Sequence, residues 1–156
     1  MIKLLRVDHR LLHGQVAFSW TTNLDVDCIL VANDDVMVND LRKTAIKLAK
    51  PSGVKLVIKS IQDSIQALNS GVTDKYNLLI VVESIADVKT LADNCPQIES
   101  INLGGTKSAP DKTQISKAIF LTENEKLQLK ELLDKGIKID IRMVPSDRKV
   151  DLETVL

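Results

Sequence analysis

Short apolar runs separated by amphipathic stretches recur along the whole chain. Ile2 to Val7, Cys28 to Ala32, Val54 to Ile58, Leu78 to Val82, Ile98 to Leu103, Ala118 to Leu121 and Ile137 to Met143 are rich in Val, Ile and Leu. Near-continuous runs of this length suit strands covered on both faces, because a strand with one wet face alternates apolar with polar residues. Between them the spacing turns helical. A pattern begins near Gln15. Asp40 to Lys50 sets Leu41, Ala45, Leu48 and Ala49 on one side, and Pro51 and Gly53 stop it. Ser60 to Leu68 places Ile61, Ile65 and Leu68 at helical spacing. Ser84 is positioned to cap a helix carrying Ile85, Val88, Leu91 and Ala92. Thr122-Glu123-Asn124-Glu125 has the form of a capping box, opening a helix through Leu129, Leu132 and Leu133 that Gly136 closes.

Strand alternating with helix predicts βαβ units with right-handed crossovers. The expectation is an α/β fold, one domain over residues 1–156. Its core is an open twisted sheet of about seven mostly parallel strands, counted from the runs, with helices on both faces. The polar tail from Pro145 to Leu156 is expected to pack back on the surface.

Composition narrows the partners. Lysine plus arginine equals aspartate plus glutamate, at 21 each, which gives no electrostatic reason to expect nucleic acid or an anionic membrane. Cys28 and Cys95 are too few for a disulfide framework and lack metal-ligand spacing, so buried thiols are expected. Lys3 and Arg6 interrupt the first apolar residues, which argues against a signal peptide, and the apolar runs are too short to span a bilayer. A soluble, cytoplasmic protein is expected.

In an open α/β sheet, ligands gather at the carboxyl ends of the strands. Three loops compete there: Asp8 to Gly14, Asn33-Asp34-Asp35 and Gly104 to Asp111. The first holds both histidines, His9 and His13. Their spacing resembles a pair of zinc ligands, but Arg10 sets a permanent positive charge beside any cation, and the pair spans a strand-to-helix loop. Phosphate explains more residues at once. Arg10 offers a planar cationic fork for phosphate oxygens. Gly14 lets backbone approach an anion, and the amides of Gly14, Gln15 and Val16 lie at a helix N-terminus. Asp8 can steer Arg10 or orient an imidazole, and a neutral imidazole nitrogen is then a nucleophile towards phosphorus. The residues alone leave open a histidine that is simply satisfied at the surface or in the core.

The other loops say less. Asn33-Asp34-Asp35 reads as a polar strand end feeding a helix. Gly104-Gly105 either lets backbone approach a phosphoryl group or partner, or forms a turn without chemistry; it lacks the spacing of a nucleotide loop. Trp20 reads as core or interface packing.

Arg6-Val7-Asp8-His9-Arg10-Leu11-Leu12-His13-Gly14-Gln15-Val16 resembles the pattern R-[IV]-D-x-R-L-[IL]-H-G-Q-V. That pattern is the signature of IIB components of the mannose/fructose/sorbose family of the phosphoenolpyruvate-dependent sugar phosphotransferase system. The likeness continues in Leu30 to Asp34, Asn102 to Gly105, Val144 to Asp147 and Lys149 to Leu152. It implies a phosphocarrier that associates peripherally with a membrane transporter. His13 would accept a phosphoryl group, on Nδ1 in the family, from a phosphohistidine of the IIA protein. It would then pass the group to a sugar held by the membrane subunits IIC and IID. Asp8, Arg10, Gly14 and Gln15 would support the phosphoryl group, with Arg6, Gly104 and Gly105 as further candidates. His9 occupies a position where the family often has an acidic residue or serine. No metal and no cofactor is implied. A regulatory phosphorylatable module of the same fold and a non-covalent phosphometabolite-binding domain are the alternatives, and homo-oligomerisation is left open.

Overall fold

The computed structural model describes residues 1–156. Nine strands and six α-helices alternate in the order β1 (Ile2–Asp8), α1 (Gly14–Leu24), β2 (Cys28–Ala32), α2 (Asp34–Val38), α3 (Asp40–Leu48), β3 (Lys55–Lys59), α4 (Ile61–Ser70), β4 (Leu78–Val82), α5 (Ile85–Asn94), β5 (Ser100–Gly105), β6 (Thr113–Ser116), β7 (Ile119–Leu121), α6 (Glu123–Asp134), β8 (Lys138–Ile141) and β9 (Val150–Asp151). A 3₁₀ turn, Leu152–Thr154, ends the fold. Seven strands form one sheet in the order β3-β2-β4-β1-β5-β8-β9, and β6 pairs only with β7. All pairings in the large sheet are parallel except that of β8 with β9.

The expected count of seven therefore holds, with one exchange of membership. The run from Ala118 to Leu121 leaves the sheet for the β6–β7 hairpin. The seventh place goes to Val150–Asp151 from the supposed surface tail. Pairing decides this. β8 offers a free edge, and two residues suffice to cover part of it, with Leu152 completely buried just beyond.

Adjacent side chains on the strands go to opposite layers, and side chains two apart share one. Leu5, Val7, Leu30, Ile80 and Leu103 pack with residues of α4, α5 and α6 in a 27-residue core. Leu4, Ile29, Val31 and Val81 pack with Leu11, Leu12, Trp20, Val36 and Ile46 in a second core of 12 residues. Helices thus cover both faces. Beyond α1, however, the second face lies open over β5, β8 and β9 as a groove of about 1070 Å³ lined by Trp20, Asn23, Lys138, Asp140 and Arg142. Polar residues on those strands make that opening tolerable.

The expected inward face of α3 is rotated. Leu41 and Leu48 are 83% and 82% exposed, and Ile46 is the buried residue. Polar anchors set the rotation. Asn39 caps the helix by accepting from the amide of Arg42. The Arg42 guanidinium reaches Asp35 at 2.9 Å and Glu83 at 2.8 Å. The cap and the two carboxylate contacts hold the helix in this orientation, with both leucines outward and Ile46 inward.

Candidate functional site

From β1 the chain crosses one face through α1 to β2, and from β5 it crosses the other through α6 to β8. β1 and β5 are neighbours, so their carboxyl ends open a crevice where the connections diverge. The loops after these two strands meet there: the amide of His9 donates to the carbonyl of Gly105 at 3.0 Å. The Asn33 loop belongs elsewhere. Asn33 caps α2, and Asp34 accepts from the amide of Ile61 at the start of α4.

The first loop is held by its carboxylate and its leucines. Asp8 has no exposed surface. Its Oδ1 accepts from the amide of Arg10 at 3.0 Å and from Arg10 Nε at 3.1 Å. Its Oδ2 accepts from Arg10 Nη2 at 3.1 Å and from Arg6 Nη2 at 3.2 Å. Burial pushes the Asp8 carboxyl upward, but the hydrogen bonds from Arg10 and the charges of Arg6 and Arg10 hold it below the usual carboxylate range. It is therefore ionised at neutral pH. Of the two roles expected for Asp8, the structure shows the steering of Arg10; its nearest imidazole contact is His9 Nδ1 at 4.0 Å.

Leu11 then turns the chain with φ of 58°, its amide donating to the Asp8 carbonyl at 2.8 Å. A left-handed conformation costs a branched residue about 1–2 kcal/mol. Burial of Leu11 and of Leu12 recovers about 1.5–3 kcal/mol each, so the turn is stable on balance.

His13 follows as the N-cap of α1. Its backbone is extended, at φ −121° and ψ 120°, and its imidazole makes no capping hydrogen bond. The other five helices are all capped by a side chain: Asn33, Asn39, Ser60, Ser84 and Thr122 accept from the first-turn amides. A missing cap gives up about 1 kcal/mol. In α1 no acidic residue in the first turn compensates, so the amides of Gly14, Gln15 and Val16 carry their partial positive charge unanswered. His9, Arg10, His13, Gly14 and Gln15 are all exposed, so this loop is both rigidly held and open.

Arg6 and Gly104 have a task other than direct contact with a phosphoryl group. The Arg6 guanidinium is buried, with Nη1 donating to Asn102 Oδ1 at 2.7 Å and to the Arg142 carbonyl at 3.1 Å. It lies 5.6 Å from the Trp20 ring centre. A Cβ on Gly104 would fall well under 3.0 Å from that guanidinium, so this glycine makes room for Arg6. Gly105 stays at the loop, where an added Cβ would stand 3.6 Å from the His9 ring. Sequence reasoning missed Asn102 and Asp140 as partners of this network. The signal was present: each is a polar residue inside an apolar strand run, as Arg6 is.

Comparison with known proteins shows the family. A family model described as PTS system sorbose subfamily IIB component matches residues 2–156. The chain belongs to that family. It is 33% identical to the sorbose-specific EIIB component of Lacticaseibacillus casei over 97% of this chain and 93% of that one. It is 31% identical to the mannose-specific EIIAB component of Escherichia coli over 97% of this chain, spanning 47% of that longer protein. The crystal structure of the IIBSor domain of the sorbose permease from Klebsiella pneumoniae superposes with a TM-score of 0.91 at 31% identity, covering 97% of this chain and 93% of that chain. This IIB component is thus a phosphotransferase-system protein of sugar uptake, and none of its helices is long and apolar enough to cross a membrane.

The free space at Gly14 yields a prediction. A Cβ there meets nothing within 4 Å, and its φ is ordinary, so the fold does not require glycine. Gly14→Ala is expected to leave the melting temperature unchanged or raise stability by about 0.4–1 kcal/mol. A helical Cβ tilts toward the N-terminus, so the added methyl would crowd an anion at the uncapped amides, and the same variant should transfer a phosphoryl group more slowly. Thermal melting and a transfer assay, run side by side, check both halves.

Proposed function

We propose that this IIB component is a phosphocarrier in which His13 accepts a phosphoryl group from a phosphohistidine of the IIA protein and delivers it to a sugar held by IIC and IID. The observation that carries the reading is the exposed His13 standing as the N-cap of the one helix without a side-chain cap, on the loop where Asp8 clamps Arg10. In the first step the donor's N–P bond breaks as a nitrogen of neutral His13 bonds to phosphorus; the proton lost by His13 is balanced by the one the donor imidazole gains. In the second, a sugar hydroxyl attacks phosphorus, the His13 N–P bond breaks, and the hydroxyl proton ends on the imidazole, restoring neutral His13.

Arg10 and the amides of Gly14, Gln15 and Val16 meet the non-bridging oxygens, where charge builds in the transition state. Asp8 holds Arg10 in place and offsets part of its charge. With Arg6 and Arg10 against one carboxylate, the loop presents a modest positive excess rather than a dense cationic cage. A carrier needs that restraint, because a phosphoryl group bound too tightly would not leave. The exposure of the loop suits two visitors in turn, each through a small transient surface. The E. coli EIIAB relative, with its A and B parts named on one chain, supports a IIA partner. The whole of residues 1–156 acts as one EIIB domain, working in the cytoplasm at the face of the transporter.

The test is sugar phosphorylation by membranes containing IIC and IID, supplied with phosphorylated IIA and this protein. The expected result is sugar phosphate that depends on the wild-type chain and is absent with His13→Ala. A chain that becomes labelled yet yields no sugar phosphate is a regulatory module. One that binds phosphometabolites without becoming labelled is a binding domain.

A further inference from the structure

We propose that Asn102 and Asp140 are positioning residues of the phosphoryl site, acting through Arg6 and Asp8 to fix the direction in which Arg10 is presented on the His13 loop. The inference rests on the reading of His13 as phosphoryl acceptor and adds residues from two further strands to it.

The contacts form an unbroken chain across three adjacent strands. Register places Arg6 of β1 opposite Asn102 of β5, and Asn102 opposite Asp140 of β8. Asp140 Oδ2 accepts from Arg142 Nε at 3.0 Å and from Asn102 Nδ2 at 3.2 Å. Asn102 Nδ2 also donates to the Arg142 carbonyl at 3.3 Å. Two acceptors on one side leave the amide a single sensible orientation, with its oxygen turned to Arg6 Nη1 at 2.7 Å. The other guanidinium nitrogen, Nη2, then donates to Asp8 Oδ2, which holds Arg10.

The order of groups matters. Asn102 is neutral and completely buried, and it separates Arg6 from the Asp140 charge. A carboxylate in its place would compete with Asp8 for Arg6; an apolar side chain would leave Arg6 Nη1 with only one acceptor. The amide therefore transmits orientation while leaving Asp8 the only carboxylate bonded directly to Arg6. Trp20 closes the arrangement. Its ring lies 5.6 Å from the Arg6 guanidinium and 5.1 Å from that of Arg142, and its Nε1 donates to the Met143 carbonyl at 3.1 Å. The helix whose N-cap is His13 is thereby tied to the same network that aims Arg10.

A double-mutant cycle with Arg10 separates positioning from general support of the fold. Asn102→Leu keeps the approximate shape and removes both hydrogen-bonding ends. With phosphorylated IIA as donor, kcat is expected to fall about tenfold with KM unchanged, whereas in the Arg10→Ala background the same change has little further effect. Full-rate transfer by Asn102→Leu, or equal fold-losses in both backgrounds, overturns the proposal. Should Asn102→Leu fail to fold, Asp140→Asn serves, with a smaller loss of kcat that also vanishes in the Arg10→Ala background; an unchanged kcat there overturns the proposal. Full-rate transfer by Arg10→Ala alone overturns both this inference and the reading of Arg10 beneath it. A slow Arg10→Ala beside a full-rate Asn102→Leu overturns this inference only.

Discussion

Arg10→Ala is expected to slow phosphoryl transfer roughly 10²- to 10³-fold while the protein stays folded, the loss seen when one preorganised charge-stabilising donor is removed. The structure explains why the two effects separate. Arg10 is only partly buried and lies outside the hydrophobic core, so its loss opens no core cavity. Asp8 would lose two side-chain donors but keep the Arg10 amide and Arg6. Two lost hydrogen bonds at this partly exposed edge cost about 1–3 kcal/mol in all, a melting shift of roughly 2–12 °C. Arg10→Lys should recover little of the rate. An ammonium restores the charge, but it cannot meet both Asp8 oxygens with a planar fork and still face outward. Single-turnover transfer rates and melting curves on the two variants check this. A wild-type rate in Arg10→Ala with an unaltered melting curve would show that the arginine contributes nothing to transfer.

The second large effect falls on stability. Gly104→Ala is expected to cost roughly 3 kcal/mol or more, lowering the melting temperature by about 6–12 °C. Its methyl group would occupy the space of the Arg6 guanidinium. Arginine tips usually move aside easily, but this one is buried and bonded to Asn102, Asp8 and the Arg142 carbonyl at once. Displacing it takes one arginine from the buried Asp8 and the donor from Asn102 Oδ1, and breaking a buried charge pair by moving one partner is costly. Transfer should fall as well, because Asp8 loses one of its two arginine partners. Gly105→Ala is the control. Its added Cβ would come no nearer than 3.6 Å to the His9 ring, an ordinary contact, so a small change is expected. Calorimetric melting of the two variants distinguishes a demand for space at Gly104 from a general demand for glycine at the end of β5.

Much of the fold was legible because hydrophobic runs and capping residues are local signals. The Thr122 capping box forms as its spacing implies, with Glu125 accepting from the Thr122 amide at 2.9 Å. Ser84 accepts from the Asp87 amide, and both cysteines are buried thiols. What escaped depends on pairing between distant residues. The sheet admits Val150–Asp151 because β8 leaves an edge there, and nothing in a two-residue stretch announces that. The rotation of α3 follows from Arg42 reaching Glu83 after β4, a contact across 41 positions of sequence.

The same division runs through the site. The loop itself could be read from Asp8 to Gln15, since strand end, arginine, histidine and glycine are contiguous. The task of Arg6 could not. Its partners Asn102 and Arg142 lie 96 and 136 residues away, and only the register of β1, β5 and β8 brings them together. Gly104 looked like a phosphate-facing glycine for the same reason: without the neighbouring strand, the guanidinium it accommodates is invisible.

The central claim is that His13 carries the phosphoryl group, and labelling tests it most directly. The wild-type protein, His9→Ala and His13→Ala are each incubated with phosphoenolpyruvate, the general phosphotransfer proteins and the matching IIA. Wild type and His9→Ala are predicted to acquire an acid-labile, base-stable phosphate, and His13→Ala to acquire none. Label retained by a folded His13→Ala, or a wild-type chain that takes up no label at all, would contradict the account.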